Sequence, residues 1–345
     1  MRAARARRRE PAPGVFRLIL SLPFPEIPQV NAYLLTGEKG ATLIDAGIYN
    51  EHPASDHGWR HLEEALETCG ASFDDITRLV VTHTHVDHYG MAGRMVAETG
   101  CELLMHERGG QDLELYRRPD DERRRVRAML ADHGVEGGEL DELTAMEDWR
   151  PFVSSIVKPE RWLTGAEELL VGGRTWSVVP TPGHARSHIC LFSPADGLLL
   201  SGDHVLPSVT PHIDFVRGEE ADPLGEFLDS LEKVEELGPR MVLPGHGRPF
   251  EDGAGRARAI RRHHERRLGS ILQVIRRDAC TAGHIVDAVF GETLMSFHRR
   301  LAFGEALAHL AYLRRRGEVM RIEEDGTFLY RKASRADARP ENGFE

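Results

Sequence analysis

Three histidines and one aspartate fall within six residues, in the pattern H-x-H-x-D-H at His83, His85, Asp87 and His88. Neutral imidazoles and carboxylates are ligands that borderline divalent ions such as Zn²⁺ prefer. The apolar run 76–81 before the motif is typical of a short buried strand, and the alternation of an extended chain directs His83 and His85 to one side. The motif therefore predicts a transition-metal site at a strand end; a solvated histidine turn is the alternative.

Three further candidate ligands lie in turns that follow apolar runs. His184 ends a Thr-Pro-Gly-His turn, Asp203 follows a Ser-Gly pair, and His246 lies in a Pro-Gly-His-Gly segment. Proline and glycine in such positions mark turns between elements. Each turn is therefore expected to present one ligand at the carboxyl end of a strand.

Together with the run Leu-Ile-Asp-Ala-Gly at 43–47, these residues resemble the metallo-β-lactamase-fold hydrolases over about residues 15–250. The resemblance implies an α/β fold, a four-layer αβ/βα sandwich in which two mixed β-sheets pack face to face with helices outside. It also implies a dinuclear metal site with seven ligands. The first ion would be bound by His83, His85 and His184, the second by Asp87, His88 and His246, and Asp203 would bridge them.

The cofactors implied by this resemblance are two divalent ions, with Zn²⁺ expected first, although Fe and Mn also bind His/Asp sites. A hydroxide held between two such ions attacks a carbonyl or phosphoryl centre near neutral pH, so the reaction expected is hydrolysis. Asp87 and Asp203 are the implied catalytic residues, and Asp87 can also accept a proton from the nucleophile. Asp45 resembles the family residue that supports the ligand loop; a simple turn aspartate is the alternative.

The ligand set departs from that of the true β-lactamases, in which a cysteine ligates the second ion. Here Asp87 and His88 occur together, and histidine rather than cysteine precedes Gly247. This pattern resembles the glyoxalase II, lactonase and ribonuclease branches, so antibiotic hydrolysis is not expected. Residues 202–207 and 210–212, with the C-terminal helices, resemble the branch of human β-lactamase-like protein 2 and many bacterial relatives, which ends in a winged-helix domain.

Two more histidines are candidate substrate contacts. His204 follows Asp203, and His212 follows a Thr-Pro turn, so either could meet the substrate or protonate a leaving group. His188 is expected in core packing behind the ligands, with the pocket floor as the alternative. The ten other histidines are expected to be surface or second-element residues: His52, His57, His61, His106, His133, His263, His264, His284, His298 and His309.

Composition and charge favour two folded domains. The chain has 345 residues, 41% hydrophobic and 29% charged, as in ordinary soluble globular proteins. Residues 10–255 hold 43 acidic and 21 basic residues, whereas 256–332 hold 9 and 16, so an acidic body precedes a basic module. We therefore expect a disordered basic arm, a hydrolase domain, a winged-helix domain and a disordered tail. Their predicted bounds are 1–14, 15–254, 255–332 and 333–345.

A polar, helical stretch at 107–157 is predicted to be an insertion in the hydrolase domain. A lid, a surface excursion and a dimer contact are equally open readings, so a homo-oligomer is also left open. The four cysteines lie far apart with no Cys-x-x-Cys pair, which indicates reduced thiols and a cytoplasmic protein. No apolar run reaches the length needed to cross a bilayer, so no membrane partner is expected.

Three functions remain open. The preferred one is thioesterase-like hydrolysis of a small carboxylic ester, thioester or lactone, because the acidic body opposes a polyanion. The alternative is a metal-dependent endoribonuclease acting on single-stranded RNA, supported by the expected winged helix and its arginines at 314–316, 321 and 331. A non-catalytic binding protein is the third, and the intact ligand set argues against it.

Overall fold

Apolar runs near the start of the chain form the antiparallel half of a five-stranded sheet. In the computed structural model, the described residues are 10–52, 55–145, 149–215, 222–334 and 337. The strands lie in sheet order, β1 (Val15–Ser21), β2 (Gln29–Gly37), β3 (Gly40–Ile44), β4 (Ile76–Val80) and β5 (Glu102–Leu104). The first three are antiparallel, whereas β3, β4 and β5 are parallel. The carboxyl ends of β3 and β4 therefore meet at one edge of the sheet.

A second, six-stranded sheet packs on the first. Its strands are β6 (Glu168–Val171), β7 (Arg174–Pro180), β8 (Ile189–Ser193), β9 (Leu198–Gly202), β10 (Met241–Pro244) and β11 (Phe250–Glu251), in the order β11-β10-β9-β8-β7-β6. Only β9 and β10 pair in parallel in this sheet. Leu35 and Val80 of the first sheet share one buried cluster with Trp176 and Leu200 of the second. The predicted sandwich of two mixed sheets is confirmed.

The described residues form ten α-helices. They are α1 (His57–Glu67), α2 (Val86–Tyr89), α3 (Ala92–Thr99), α4 (Gly109–Arg117), α5 (Pro119–Asp132), α6 (Gly137–Ala145), α7 (Pro223–Leu237), α8 (Gly253–Val274), α9 (Ala282–Phe290) and α10 (Ser296–Arg315). Leu62 and Leu66 of α1 and Met95 of α3 pack against Leu34 and Leu79 on the outer face of the first sheet. Each such side chain stabilises the fold by about 1.5–3 kcal/mol through burial.

The chain divides into two compact units. The first contains Met1–Pro119, Trp149–Pro211 and Asp229–Ile260, and the second contains Asp120–Asp148, His212–Leu228 and Arg261–Glu345. Both sheets described above belong to the first unit. Residues 120–148 of the predicted insertion 107–157 therefore share a unit with the C-terminal part of the chain.

The second unit has its own core and a small sheet. Met129 and Leu130 of α5 pack with Phe303 and Leu307 of α10. The sheet consists of β12 (Cys280–Thr281), β13 (Val319–Glu324) and β14 (Thr327–Lys332), in the order β12-β14-β13. The predicted turn at Asp325 and Gly326 is present, with φ of 50° and 79°, as a tight two-residue hairpin requires. The winged-helix assignment stays a prediction.

The predicted arm 1–14 and tail 333–345 lie only partly within the described residues, since 1–9, 335–336 and 338–345 fall outside them. Among the described helices, none combines the length and the apolar character that a membrane span requires.

Candidate metal centre

The H-x-H-x-D-H motif lies where strand β4 of the first sheet ends. Strand β4 ends at Val80, the loop 81–85 follows it, and the short helix α2 carries Asp87 and His88. The loop is held at its start because the Val81 amide donates to Leu104 O at 2.9 Å. Within the motif the chain thus changes from an extended strand end to a helical turn. This change brings Asp87 and His88 back toward His83 and His85.

The structure brings all seven predicted ligands into one cluster. His83, His85 and His184 each offer a ligand atom, and these atoms lie within 4.8 Å of one another; the same holds for Asp87, His88 and His246. A third group of the same compactness contains His83, His88 and Asp203. These side chains come from the loop after β4 and the helix α2 that follows it, from the loops after β7 and β10, and from the residue that follows β9.

Asp203 lies between the two groups. Its Oδ1 is 3.4 Å from His88 Nε2, and its Oδ2 is 3.3 Å from His246 Nε2 and 3.8 Å from His184 Nε2. Gly245 keeps this space open, because a Cβ at that position would collide with Asp203 Oδ1 and lie 2.8 Å from the His88 ring. A glycine is therefore required beside the shared carboxylate.

For three of the histidines, hydrogen bonds outside the cluster fix which ring nitrogen faces it. Asp45 accepts from the Thr82 amide at 2.7 Å, from Thr82 Oγ1 at 2.9 Å and from His88 Nδ1 at 2.7 Å. Thr82 Oγ1 therefore accepts from His83 Nδ1, 3.0 Å away, and His246 Nδ1 donates to Gln29 O at 2.8 Å. The Nε2 atoms of these three histidines consequently point into the cluster, the orientation that second-shell partners give to metal-binding histidines.

The donor set fits a pair of divalent cations. Among the described residues, His88 Nε2 and Asp203 Oδ1 are buried and lie 3.4 Å apart without a well-aligned hydrogen bond, a costly state that a cation between them would relieve. Imidazole nitrogens and carboxylate oxygens are the donors that Zn²⁺ and related ions prefer. The residues present therefore fit the ions that the sequence predicts.

Residues 26–246 match the sequence model of the metallo-β-lactamase superfamily. The chain belongs to that superfamily. A second match, at residues 268–333, is to the C-terminal domain of metallo-β-lactamase-like proteins. The predicted family membership is thus confirmed for both parts of the chain. Membership of this superfamily implies that the chain binds divalent metal.

The comparisons with individual superfamily members agree. The chain is 26% identical over 337 residues to "Probable metallo-hydrolase YqjP" of Bacillus subtilis, covering 92% of this chain and 98% of that one. It is also 26% identical over 315 residues to "Beta-lactamase-like protein 2 homolog" of Drosophila melanogaster, covering 88% and 89%. A partial match of 29% over 133 residues, 35% of this chain and 40% of the other, is to "Atrochrysone carboxyl ACP thioesterase" of Aspergillus fumigatus.

The fold is shared with a solved structure of similar length. The crystal structure of a metallo-β-lactamase family protein from Thermus thermophilus superposes with a TM-score of 0.79 at 30% identity, and the match covers 93% of this chain and 99% of that one. The predicted branch of the superfamily, with an additional C-terminal domain, is consistent with this full-length match.

Charges in the cluster are strongly coupled. Burial lowers the pKa of His88, but the carboxylates of Asp203, Asp87 and Asp45 outweigh burial and raise it well above the usual range. The same competition raises the pKa of His246 to about 10. Burial raises the pKa of Asp87, but His88 and His246 outweigh burial and lower it to about 2. Three carboxylates thus create a negative potential that favours divalent cations.

His188 supports the shared carboxylate from behind. Its Nε2 accepts from the Asp203 amide at 3.1 Å, and its Nδ1 donates to Thr181 Oγ1 at 2.7 Å. Gly202, at φ +45°, is required here because a Cβ would lie 2.7 Å from His188 Nε2. His188 therefore helps to position Asp203 from the core.

The two predicted substrate contacts, His204 and His212, lie in different surroundings. His204 is fully buried in the first unit, and burial lowers its pKa to about 3. His212 lies in the second unit, where its ring nitrogens are 3.9 Å from Asp214 Oδ1 and 3.7 Å from Glu305 Oε2. A substrate role for either residue stays a prediction.

One supporting residue was missed by the sequence patterns. Asp112, on α4, accepts from Thr84 Oγ1 at 2.9 Å and from Ser187 Oγ at 2.8 Å, while Tyr116 OH donates to Thr84 O at 2.7 Å. Thr84 lies between His83 and His85, so this network holds the first two predicted ligands in place. No local motif marks Asp112, which lies inside the stretch predicted as an insertion.

Proposed function

We propose that the chain is a dinuclear metal-dependent hydrolase that cleaves carboxylic esters, thioesters or lactones. The observation that carries the proposal is the position of Asp203, whose two oxygens lie 3.3–3.8 Å from His88, His184 and His246. One carboxylate thereby faces ligands of both groups, as a residue that bridges two ions must. His83 and His85 complete the first ligand set, and Asp87 completes the second.

Two divalent cations held by these residues would supply Lewis acidity toward a carbonyl group and would lower the pKa of water toward neutrality. The protein's own part is to fix ligand orientation through Asp45, Thr82 and Asp112 and to offer a proton acceptor. Asp87 suits the latter role because it stays ionised and its side chain is 17% exposed, whereas that of His88 is 0% exposed. A substrate that reaches the site from solvent can therefore meet Asp87.

Charge favours a carbonyl substrate over RNA. Residues 10–255 carry 43 acidic and 21 basic residues, and this field opposes a polyphosphate. Three of the five arginines expected to contact phosphate already have partners: Arg321 lies 3.9 Å over the Phe328 ring, Arg316 is 3.4 Å from Glu318, and Arg331 is 2.8 Å from Asp337. The named activity of the thioesterase relative also supports this choice.

Parallel assays of zinc-loaded protein with a p-nitrophenyl ester, an acyl-CoA, a lactone and a single-stranded RNA test the proposal. We expect hydrolysis of at least one carbonyl substrate. Asp203→Asn should reduce it by more than about 100-fold, since loss of a ligand exceeds the loss of a second-shell partner. Asp74→Asn, which removes an exposed carboxylate, is the matched control and should leave it unchanged.

Cleavage of RNA alone, abolished in Asp203→Asn, would contradict the ester proposal and favour the endoribonuclease. No activity on any of the four substrates at full metal occupancy would favour the binding protein instead.

A further inference from the structure

A second cluster of potential metal ligands lies in the second unit and shares no residue with the candidate metal centre. It contains His264 of α8 with Glu305 and His309 of α10. All three side chains are buried, and one ligand atom from each lies within 4.8 Å of the others. Neither the proposed hydrolysis nor the family resemblance uses these residues.

The geometry of α10 places two of the three donors side by side. Glu305 and His309 are four residues apart, so they lie on the same face of α10. His309 Nδ1 donates to Glu305 O at 2.7 Å, which leaves the Nε2 lone pair available. This backbone carbonyl is the kind of partner that orients metal-binding histidines.

The third donor faces that lone pair. His264 Nδ1 lies 3.1 Å from His309 Nε2, the same separation as between His83 Nε2 and His85 Nδ1 in the candidate metal centre. Two nitrogens bound to one tetrahedral Zn²⁺ at about 2.0–2.1 Å each are roughly this far apart. The pair is thus spaced for one cation.

The protonation states also suit a cation. Burial lowers the pKa of His264 to about 3 and that of His309 to about 4, so both rings are neutral near pH 7. Burial raises the pKa of Glu305, but His212 and Arg267 outweigh it and lower the pKa to about 2. Neutral imidazoles and an ionised carboxylate are what zinc coordination requires.

A simple hydrogen-bonded histidine pair does not complete this cluster. Within the described part of the chain, His264 Nε2 is buried and has no hydrogen-bond partner. Arg267 pairs with Glu305 Oε1, while Oε2 remains 3.7 Å from His212 Nδ1. The hydrogen bond between the two rings therefore leaves one nitrogen of this buried cluster unsatisfied.

We propose that His264, Glu305 and His309 bind one divalent transition-metal ion, Zn²⁺ by preference. Both histidines are fully buried and Glu305 is 8% exposed, which favours a structural over a catalytic site. The ion would tie α8 to α10 within the second unit.

Metal counting on the full-length chain tests this site. Protein is stripped with a chelator, reloaded with Zn²⁺, desalted and analysed for bound metal. His309→Gln keeps a polar side chain but loses the ligand; His263→Gln changes the neighbouring, partly exposed histidine of α8 and is the matched control. We expect His309→Gln to bind one equivalent less than His263→Gln, whatever the occupancy of the other centre. Equal counts in the two folded variants would overturn the proposal.

If circular dichroism shows that His309→Gln does not fold, His264→Cys loaded with Co²⁺ decides the matter. A thiolate bound to Co²⁺ adds a near-ultraviolet charge-transfer band, and the wild-type chain provides the baseline because none of the proposed ligands is a cysteine. Appearance of the band supports the site, and a spectrum identical to wild type overturns it.

Discussion

Replacing Asp45 with asparagine isolates the role of ligand orientation. Asp45 has φ +62°, a left-handed conformation that asparagine also tolerates, so the backbone should be preserved. The carboxylate accepts three hydrogen bonds, one of them from His88 Nδ1. Asparagine has one acceptor oxygen, and its amide N–H groups would face a donor. His88 would then move its proton to Nε2, where the cation has to bind.

The size of the effect follows from this change. Loss of a second-shell partner lowers metal affinity by about 10- to 100-fold, or about 1.4–2.8 kcal/mol. Asp45 also orients His83, because Thr82 Oγ1 donates to Asp45 and accepts from His83 Nδ1; it therefore acts on candidate ligands of both proposed ions. We therefore expect an effect near 100-fold at the weaker-bound ion, with activity recovering at excess metal.

Competition of Asp45→Asn with a chromophoric chelator measures this affinity. The matched control is Asp252→Asn, because Asp252 also has a positive φ, of 57°, and accepts from a backbone amide, that of Gly255, at 2.9 Å. Its metal affinity should be unchanged. Wild-type affinity in Asp45→Asn, with the protein folded, would refute the argument that Asp45 selects the tautomer of His88.

Three further predictions follow from single side chains. Asp112→Ala leaves two buried hydroxyl donors without their acceptor, so urea denaturation should show a loss of at least about 2 kcal/mol; an unchanged midpoint would contradict the network. Burial lowers the pKa of His133 to about 4, so the unfolded state binds the proton more tightly than the folded state does. The free energy of unfolding should therefore fall by up to about 3 kcal/mol between pH 6.5 and 4. His133→Gln should reduce this dependence of stability on pH. Gly245→Ala forces a methyl group against Asp203 and should reduce bound metal, whereas Gly269→Ala, in open space on α8, should add about 1 kcal/mol of stability without changing metal content.

The clustering of the candidate ligands could be predicted because local sequence determines where each of them lies. The motif from His83 to His88 follows the strand that the apolar run 76–81 predicts. Pro-Gly turns mark His184 and His246 in the same way. Parallel pairing of β3 with β4 and of β9 with β10 then brings their carboxyl ends together. The backbone topology thus converts separate turns into one site.

The remainder depends on packing between distant segments. Asp112 supports the ligand loop only because α4 lies beside Thr84 and Ser187, which no periodic pattern reveals. Residues 120–148 join the C-terminal unit through apolar side chains such as Met129. His264 and His309, expected as surface or second-element residues, are fully buried, because α8 and α10 contribute them to a common interior.

Anomalous X-ray diffraction at the zinc edge, on crystals of the zinc-loaded protein, tests the dinuclear centre most directly. The account predicts two peaks in the first unit, each about 2.0–2.2 Å from an oxygen of Asp203, with His83, His85 and His184 around one and Asp87, His88 and His246 around the other. A single peak, or two peaks of which one does not contact Asp203, would contradict it.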